Sequence, residues 1–363
     1  CNRGYLVTIQ ANDGVGTLYP IDYKVSGAAF RMPDLDGEVV VELVPNPLPL
    51  SQVRTRVFHD NLSVNNAEDV PVEEGLAGFN VVLFDRVGHV SVDWFGNPLC
   101  TQYYPPSVAP LFLAADPAGS GYGVDVDGSF VPVPGTGGIC LSDANGDVVI
   151  KNLGPNKYTL WAIPPDGEGW SQTSTIEGKH DFDVWLDEGN SGYATDVAFN
   201  QNYAWFGFVR PSAFGDLTDD CTTATADTAG DGTITGLVRG NSGEVGLNLG
   251  QPVPSPYLAL NNIGGDDEQV WTGRGNPDGT FAIEDVPPGH YQLVIWDLPQ
   301  DYIIQFLTVD TREDTCAAPC ITNLGDVLVP YWFGQQRGSV YMDANENGIR
   351  DPGEVPMPAY DVD

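Results

Sequence analysis

Apolar and polar residues alternate along this chain in short runs bounded by Gly, Pro, Asn and Asp, and no long segment holds a helical period. The clearest run is Asn145-Gly146-Asp147-Val148-Val149-Ile150, followed by Leu153-Gly154-Pro155-Asn156-Lys157-Tyr158-Thr159-Leu160. It reads as an Asn-Gly turn with positive φ angles, then a strand with Val148 and Ile150 on one face. A Gly-Pro break follows, then a second strand carrying Tyr158 and Leu160. The same unit returns 133 residues further on, from Asn145 to Asp278. Asp278-Gly279 takes the place of Asn145-Gly146, Phe281 and Ile283 that of Val148 and Ile150, and Tyr291 and Leu293 that of Tyr158 and Leu160. A repeat of this length predicts two copies of a whole β domain rather than a short solenoid unit.

The remaining runs divide the chain. Residues 1–50 hold strand-like runs at 5–9, 21–25 and 38–43 and end in a Pro-rich linker at 45–49, an N-terminal β module. A first β-sandwich at 51–215 opens with the alternating run 53–58 and closes on Trp205-Phe206-Gly207. A second at 216–335 opens at 233–239 and closes on Trp332-Phe333-Gly334, which reads as a third point of correspondence. Residues 336–363 begin a further unit that stops within its second strand. The fold class is all-β, in tandem sandwiches. A long insertion at about 88–138, rich in Gly, Pro and Tyr, is where a binding surface would sit. Its aromatic residues Trp94, Phe95, Tyr103 and Tyr104 either stack on sugars or cover the core.

Charge narrows the partners. Fifty acidic residues face 15 basic ones, a net charge of −35. Such a surface repels nucleic acid and anionic membranes and attracts divalent cations; adaptation to a saline habitat explains the bulk charge equally well. No run of apolar residues is long enough to span a membrane. The chain starts at Cys1 rather than Met, which predicts that an upstream segment has been removed or is missing. Six cysteines without zinc-ribbon or haem-attachment spacing predict disulfides in an oxidising, extracellular setting. Cys100 with Cys140 and Cys316 with Cys320 are the expected pairs, leaving Cys1 and Cys221.

One stretch carries chemistry. Residues 343–354 follow the form Asp-x-Asn-x-Asn-Gly-x-x-Asp-x-x-Glu. Calcium requires six to eight hard oxygens, and the loop supplies them from the side chains of Asp343, Asn345 and Asn347, the carbonyl of Ile349, Asp351, and both oxygens of Glu354. Gly348 stands where the sharp turn demands glycine. Val340 and Met342 before the loop, with Pro356 and Pro358 after it, exclude the helices of an EF-hand, so the loop reads as a calcium staple between strands. A stretched echo follows the first strand of the first sandwich: Asp60, Asn65, Asp69 and Glu73 or Glu74, with Glu74 taken as the ligand.

A strand, such a loop, a Gly/Pro-led second strand and a hairpin such as Asp278-Gly279 to Pro288-Gly289-His290-Tyr291 resemble the B-type repeats of bacterial surface adhesins. These are the B domains of serine-aspartate-repeat proteins and collagen adhesins, with the related carboxypeptidase regulatory-like, transthyretin-like modules. The resemblance covers about residues 51–363. It implies immunoglobulin-like or transthyretin-like sandwiches acting as rigid, Ca2+-bound spacers in surface stalks or fibres. The Lys–Asn cross-link of some such domains is not carried over, because neither opening strand holds a lysine.

Enzyme readings do poorly. His59, His89, His180 and His290 are dispersed, and there is no nucleophile elbow or phosphate loop. The expectation is a non-catalytic, secreted or cell-surface structural protein: a calcium-stabilised stalk, fibre subunit or adhesin spacer that self-associates or joins other surface proteins. The alternatives are a glycan-binding module, which predicts a solvent-exposed row of aromatics on one face, and an accessory region of a larger secreted enzyme.

Overall fold

The computed structural model describes residues 3–9, 26–32, 51–108, 110–116, 120–154, 156–173, 180–186, 203–215, 229–241, 249–265, 267–312, 320–332, 341–342, 344, 352–353 and 355–356. Every regular element among them is a strand. Near the N-terminus, β1 (Arg3–Ile9) pairs antiparallel with β2 (Ser26–Met32), a strand that the alternation did not predict. The runs at 21–25 and 38–43 lie outside the described residues.

The first sandwich comprises β3 (Ser51–His59), β4 (Asn80–Phe84), β5 (His89–Val90), β6 (Ala114–Ala115), β7 (Gly123–Val124), β8 (Asp147–Leu153), β9 (Asn156–Ile163), β10 (Ser171–Gln172), β11 (Asp181–Leu186) and β12 (Tyr203–Val209). Its two main sheets run β10-β12-β3-β8 and β11-β9-β4-β5, and the insertion adds the small β6-β7 ladder. The second sandwich comprises β13 (Gly232–Asn241), β14 (Leu249–Pro252), β15 (Tyr257–Asn261), β16 (Gln269–Arg274), β17 (Thr280–Val286), β18 (His290–Trp296), β19 (Gln305–Asp310) and β20 (Ile321–Pro330). One sheet is built around β13, flanked by β14, β17 and β20, and the other runs β16-β15-β18-β19.

The ladders of the two sandwiches match residue for residue. Leu83 lies opposite Leu160 in one and Leu260 opposite Leu293 in the other. In both, the opening strand pairs parallel with the closing one, β3 with β12 and β13 with β20. Tyr158 and Tyr291 each donate their hydroxyl to a carbonyl four residues upstream, Gly154 O at 2.9 Å and Pro287 O at 3.1 Å. This is the arrangement of a tyrosine corner. Alternation drives the rest: Val148, Ile150, Tyr158 and Leu160 are buried in one core, and Phe281, Ile283, Tyr291 and Leu293 in the other.

Two details differ from the sequence reading. In the repeated turn only the glycine enters the left-handed region, Gly146 at φ +81° and Gly279 at +83°, whereas Asn145 does not. The turn closes by Gly146 N–H to Asp143 O and Gly279 N–H to Asn276 O, each 2.9 Å, as a turn followed by a glycine bulge. The bulge delivers the glycine carbonyl to the opening strand, with Val57 N–H donating to Gly146 O and Val238 N–H to Gly279 O, again at 2.9 Å. Second, Trp332-Phe333-Gly334 is not the counterpart of Trp205-Phe206-Gly207. Phe206 lies opposite Val57 and Val327 opposite Val238, so Val327 fills the place of Phe206. Trp332 falls beyond the end of β20, and Phe333 and Gly334 lie outside the described residues. Burial selects the strand here: Val327 and Val329 line the core.

Cys100 and Cys140 form a disulfide that ties the insertion to the first core. Cys320 is also disulfide-bonded; Cys316, expected as its partner, lies outside the described residues, as do Cys1 and Cys221.

Candidate functional site at the junction of the sandwiches

The loop between β3 and β4 carries the acidic residues of the second predicted calcium site. It crosses the end of the first sandwich, where Asp60 N–H donates to Phe208 O (3.1 Å) and His59 N–H to Glu74 O (2.8 Å). Asp60 is 0 % exposed, and its carboxylate accepts from the backbone N–H groups of Asn65 and Asn66, each at 3.0 Å. Glu73, 3 % exposed, reaches back to accept from Asn61 N–H (2.9 Å), Leu62 N–H (3.2 Å) and Asp69 N–H (2.8 Å). The Asn65 side-chain amide donates to Asp69 Oδ2 at 2.9 Å. Asp60, Asn65 and Asp69 are therefore linked by hydrogen bonds within one loop. The acid that turns inward is Glu73; Glu74 faces solvent. The spacing did not separate the two, because which carboxylate closes the loop depends on the path of the chain through Pro71.

Among the described residues no Lys, Arg or His forms an ion pair with Asp60 or Glu73; Arg56 pairs instead with Glu68, at 2.7 Å. Burial pushes Asp60 up to about 7, against the pull of its N–H donors. Burial likewise pushes Glu73 up to about 8, helped by the charges of Asp60 and Asp69. The oxygen-only donor set suits calcium. In this structure, however, the carboxylates are turned onto backbone N–H groups, and among the described residues no three His, Cys, Asp or Glu side chains converge to hold a metal ion.

The stronger predicted site lies outside the described residues: Asp343, Asn345, Asn347, Ile349, Asp351 and Glu354 all do. Its flanks are partly described. Tyr341 bridges antiparallel to Pro356, and Met342 N–H donates to Val355 O at 3.0 Å, so the chain on either side of the loop is held together as paired extended backbone.

The acidic loop also builds the junction. Val64 at its tip and Val209 at the end of β12 are fully buried against Tyr257, Ala259, Val294 and Trp296 on the outer face of the second sandwich. Backbone and side-chain bonds surround this apolar patch. Val64 N–H donates to Asn261 Oδ1 (3.0 Å), Gln269 N–H to Asn61 O (2.9 Å) and Trp296 Nε1–H to Gln172 O (3.1 Å). Ser212 and Thr272 exchange two backbone bonds, and His180 contacts the Leu298 carbonyl. Sequence patterning missed this contact. Its one signal is the fully apolar stretch Tyr257-Leu258-Ala259-Leu260, which is buried on both faces of its strand.

The insertion is mostly self-contained. Phe95, Tyr103, Tyr122 and Phe130 pack together with centroids 4.7–6.2 Å apart. The Tyr103 hydroxyl donates to the buried Asp93 carboxylate and receives Asn97 Nδ2–H at 2.9 Å. Trp94 remains 47 % exposed, with its ring over Gly154. A cleft of about 650 Å³ opens between the insertion and β8, lined by Gln102, Tyr103, Tyr122, Leu141 and Lys151 among others.

No known protein-family description matches this chain. No curated protein matches it either. Among solved structures it is similar to a streptococcal ancillary pilin at 14 % identity and TM-score 0.21, over 91 % of this chain and 76 % of that one. It is similar to the shaft pilin of Lactobacillus rhamnosus GG at 9 % identity and TM-score 0.23, over 79 % and 100 %. A third likeness is to the full-length major pilin of Corynebacterium diphtheriae, at 10 % identity and TM-score 0.22, over 78 % and 97 %. At TM-scores this low the likeness does not speak to function.

Proposed function

We propose that this chain is a non-catalytic extracellular structural protein, a calcium-stabilised run of β-sandwiches serving as a stalk, fibre subunit or adhesin spacer. The junction carries the reading. Two sandwiches joined only by a flexible linker would swing freely. These two share a buried apolar patch ringed by hydrogen bonds, so they transmit force and direction as one rod. The Cys100–Cys140 disulfide suits the oxidising setting of a cell surface. In this reading calcium occupies the loop at 343–354, and self-association or contact with other surface proteins extends the rod.

The test is a thermal melt of the intact chain with calcium and with a chelator. A ligand that binds only the folded state raises the melting temperature by linkage. The expected result is a rise that Asp343→Ala and Glu354→Ala abolish. A melting temperature indifferent to calcium would remove the calcium staple. Small-angle scattering that shows the two sandwiches reorienting freely would remove the rod.

A further inference from the structure

Tyr158, Tyr291 and Tyr103 spend their hydroxyls on the fold, the first two on carbonyls and the third on the Asp93 carboxylate. One tyrosine pair is spent otherwise. Tyr302, in the turn that leads into β19, donates its hydroxyl to that of Tyr331, just past the end of β20, at 2.8 Å. Among the described residues the two hydroxyls bond only each other.

The backbone brings the rings together. Tyr302 and Tyr331 lie opposite each other in an antiparallel bridge. Its bonds fall on either side, Ile303 N–H to Pro330 O at 2.7 Å and Trp332 N–H to Asp301 O at 3.1 Å. The tyrosines are therefore a non-hydrogen-bonded pair, the position at which cross-strand side chains stand closest. Their ring centroids are 4.3 Å apart and the planes are inclined at 33°. The hydroxyls are closer to each other than the centroids are, so the rings converge toward their hydroxyl ends and the ortho carbons of one lie alongside those of the other. Gly240 makes room for this: a Cβ there would meet the Tyr302 ring at 2.7 Å. Tyr331 is 41 % exposed and Tyr302 half-buried, so a small oxidant reaches the pair.

We propose that Tyr302 and Tyr331 are a site of oxidative modification, where hydrogen peroxide and a haem peroxidase join the two rings by a bond between their Cε carbons. Each phenol gives up one electron and its hydroxyl proton, leaving two phenoxyl radicals whose spin is shared with the ortho carbons. Coupling forms one C–C bond. Each bonded Cε then releases its hydrogen as a proton and each oxygen takes one back, which restores both phenols. The two protons and two electrons lost overall reduce one peroxide to two waters. The disulfides at Cys100–Cys140 and at Cys320 suit an oxidising setting in which such chemistry proceeds. The product ties the two sheets of the second sandwich together, because Tyr302 leads into β19 of one and Tyr331 leaves β20 of the other. A second tyrosine pair, Tyr103 and Tyr122, has centroids 5.0 Å apart. There Tyr103 is buried on Asp93 and Tyr122 donates to Asn152 Oδ1 at 3.1 Å, so their hydroxyls are engaged elsewhere.

The test is oxidation of the folded full chain by hydrogen peroxide and a haem peroxidase, followed by peptide mapping with tandem mass spectrometry. The expected result is a linked peptide joining Tyr302 to Tyr331 with the loss of two hydrogens, and dityrosine fluorescence in the monomer band. Tyr302→Phe and Tyr331→Phe should each lower that fluorescence at least fivefold. Both variants keep the ring packing, so unchanged melting temperatures certify that they fold. In chain unfolded in urea before oxidation, this link should fall at least tenfold as a share of all dityrosine formed. The proposal is overturned if the folded chain, with other tyrosines oxidised, yields no such link. It is equally overturned if the link holds the same share in urea, or if dityrosine forms only between molecules.

Discussion

Trp296→Ala tests the junction most directly. The indole is buried, stacks on Tyr257 at 5.4 Å with an interplanar angle of 15°, and donates to Gln172 O across the two sandwiches. Deleting a buried tryptophan costs about 3–5 kcal/mol through lost burial and the cavity left behind. Loss of the hydrogen bond falls within that range, since Gln300 Nε2–H also reaches Gln172 O, at 3.4 Å. At ~2–4 °C per kcal/mol for chains of this size, the second sandwich should melt roughly 10 °C lower. Because Trp296 packs on Val64 and Val209 of the first sandwich, the loss falls on the contact that couples the two. Differential scanning calorimetry should therefore show one joint transition for the two sandwiches in the parent chain and two separate ones in the variant. Asn261→Ala, which strands the buried Val64 N–H, should split them in the same direction at a cost of about 1–3 kcal/mol. Two independent transitions in the parent chain, or a Trp296→Ala variant that still melts as one unit within about 2 °C of it, would refute a rigid junction.

Further predictions concern the loops. Asp60 and Glu73 hold their protons to about pH 7 and 8 when folded, above their ordinary values of 3.8 and 4.5. Folding therefore takes up protons between about pH 4 and pH 8, and in chelator stability should fall as pH rises through that window. Asp60→Asn should flatten that slope in melts at pH 5 and pH 8, and an unchanged slope would count against the burial argument. Removing the Cys100–Cys140 bond, which spans 40 residues, should cost about 4 kcal/mol in loop-closure entropy, read from urea midpoints of the parent chain and of a Cys100→Ala, Cys140→Ala variant, both without reductant so that the bond at Cys320 stays closed. Gly146→Ala should destabilise more than Gly279→Ala. Both require positive φ, at ~1–2 kcal/mol each, but a Cβ at Gly146 meets the Val57 carbonyl oxygen at 2.0 Å, whereas at Gly279 the Val238 carbonyl oxygen is 3.0 Å away. Equal losses in denaturant midpoint would refute that ranking.

The alternation of residues alone determined that this chain is built of strands, and the return of turn, apolar pair and Tyr-x-Leu determined that a unit is used twice. Both signals are local, since a side chain on a strand faces the core or the solvent according to its position in a period of two. Locality also sets the limit. The tyrosine hydroxyls that close both repeats could be placed only once the backbone path was known. The same holds for Val327 taking the place expected of an aromatic, and for the inward turn of Glu73 rather than Glu74. Short and apolar, Tyr257-Leu258-Ala259-Leu260 announced burial but not that its second face is covered by a loop nearly 200 residues earlier. Those outcomes depend on which surfaces the tertiary fold brings together, and apolar burial, being non-directional, carries no record in the sequence of what it is buried against.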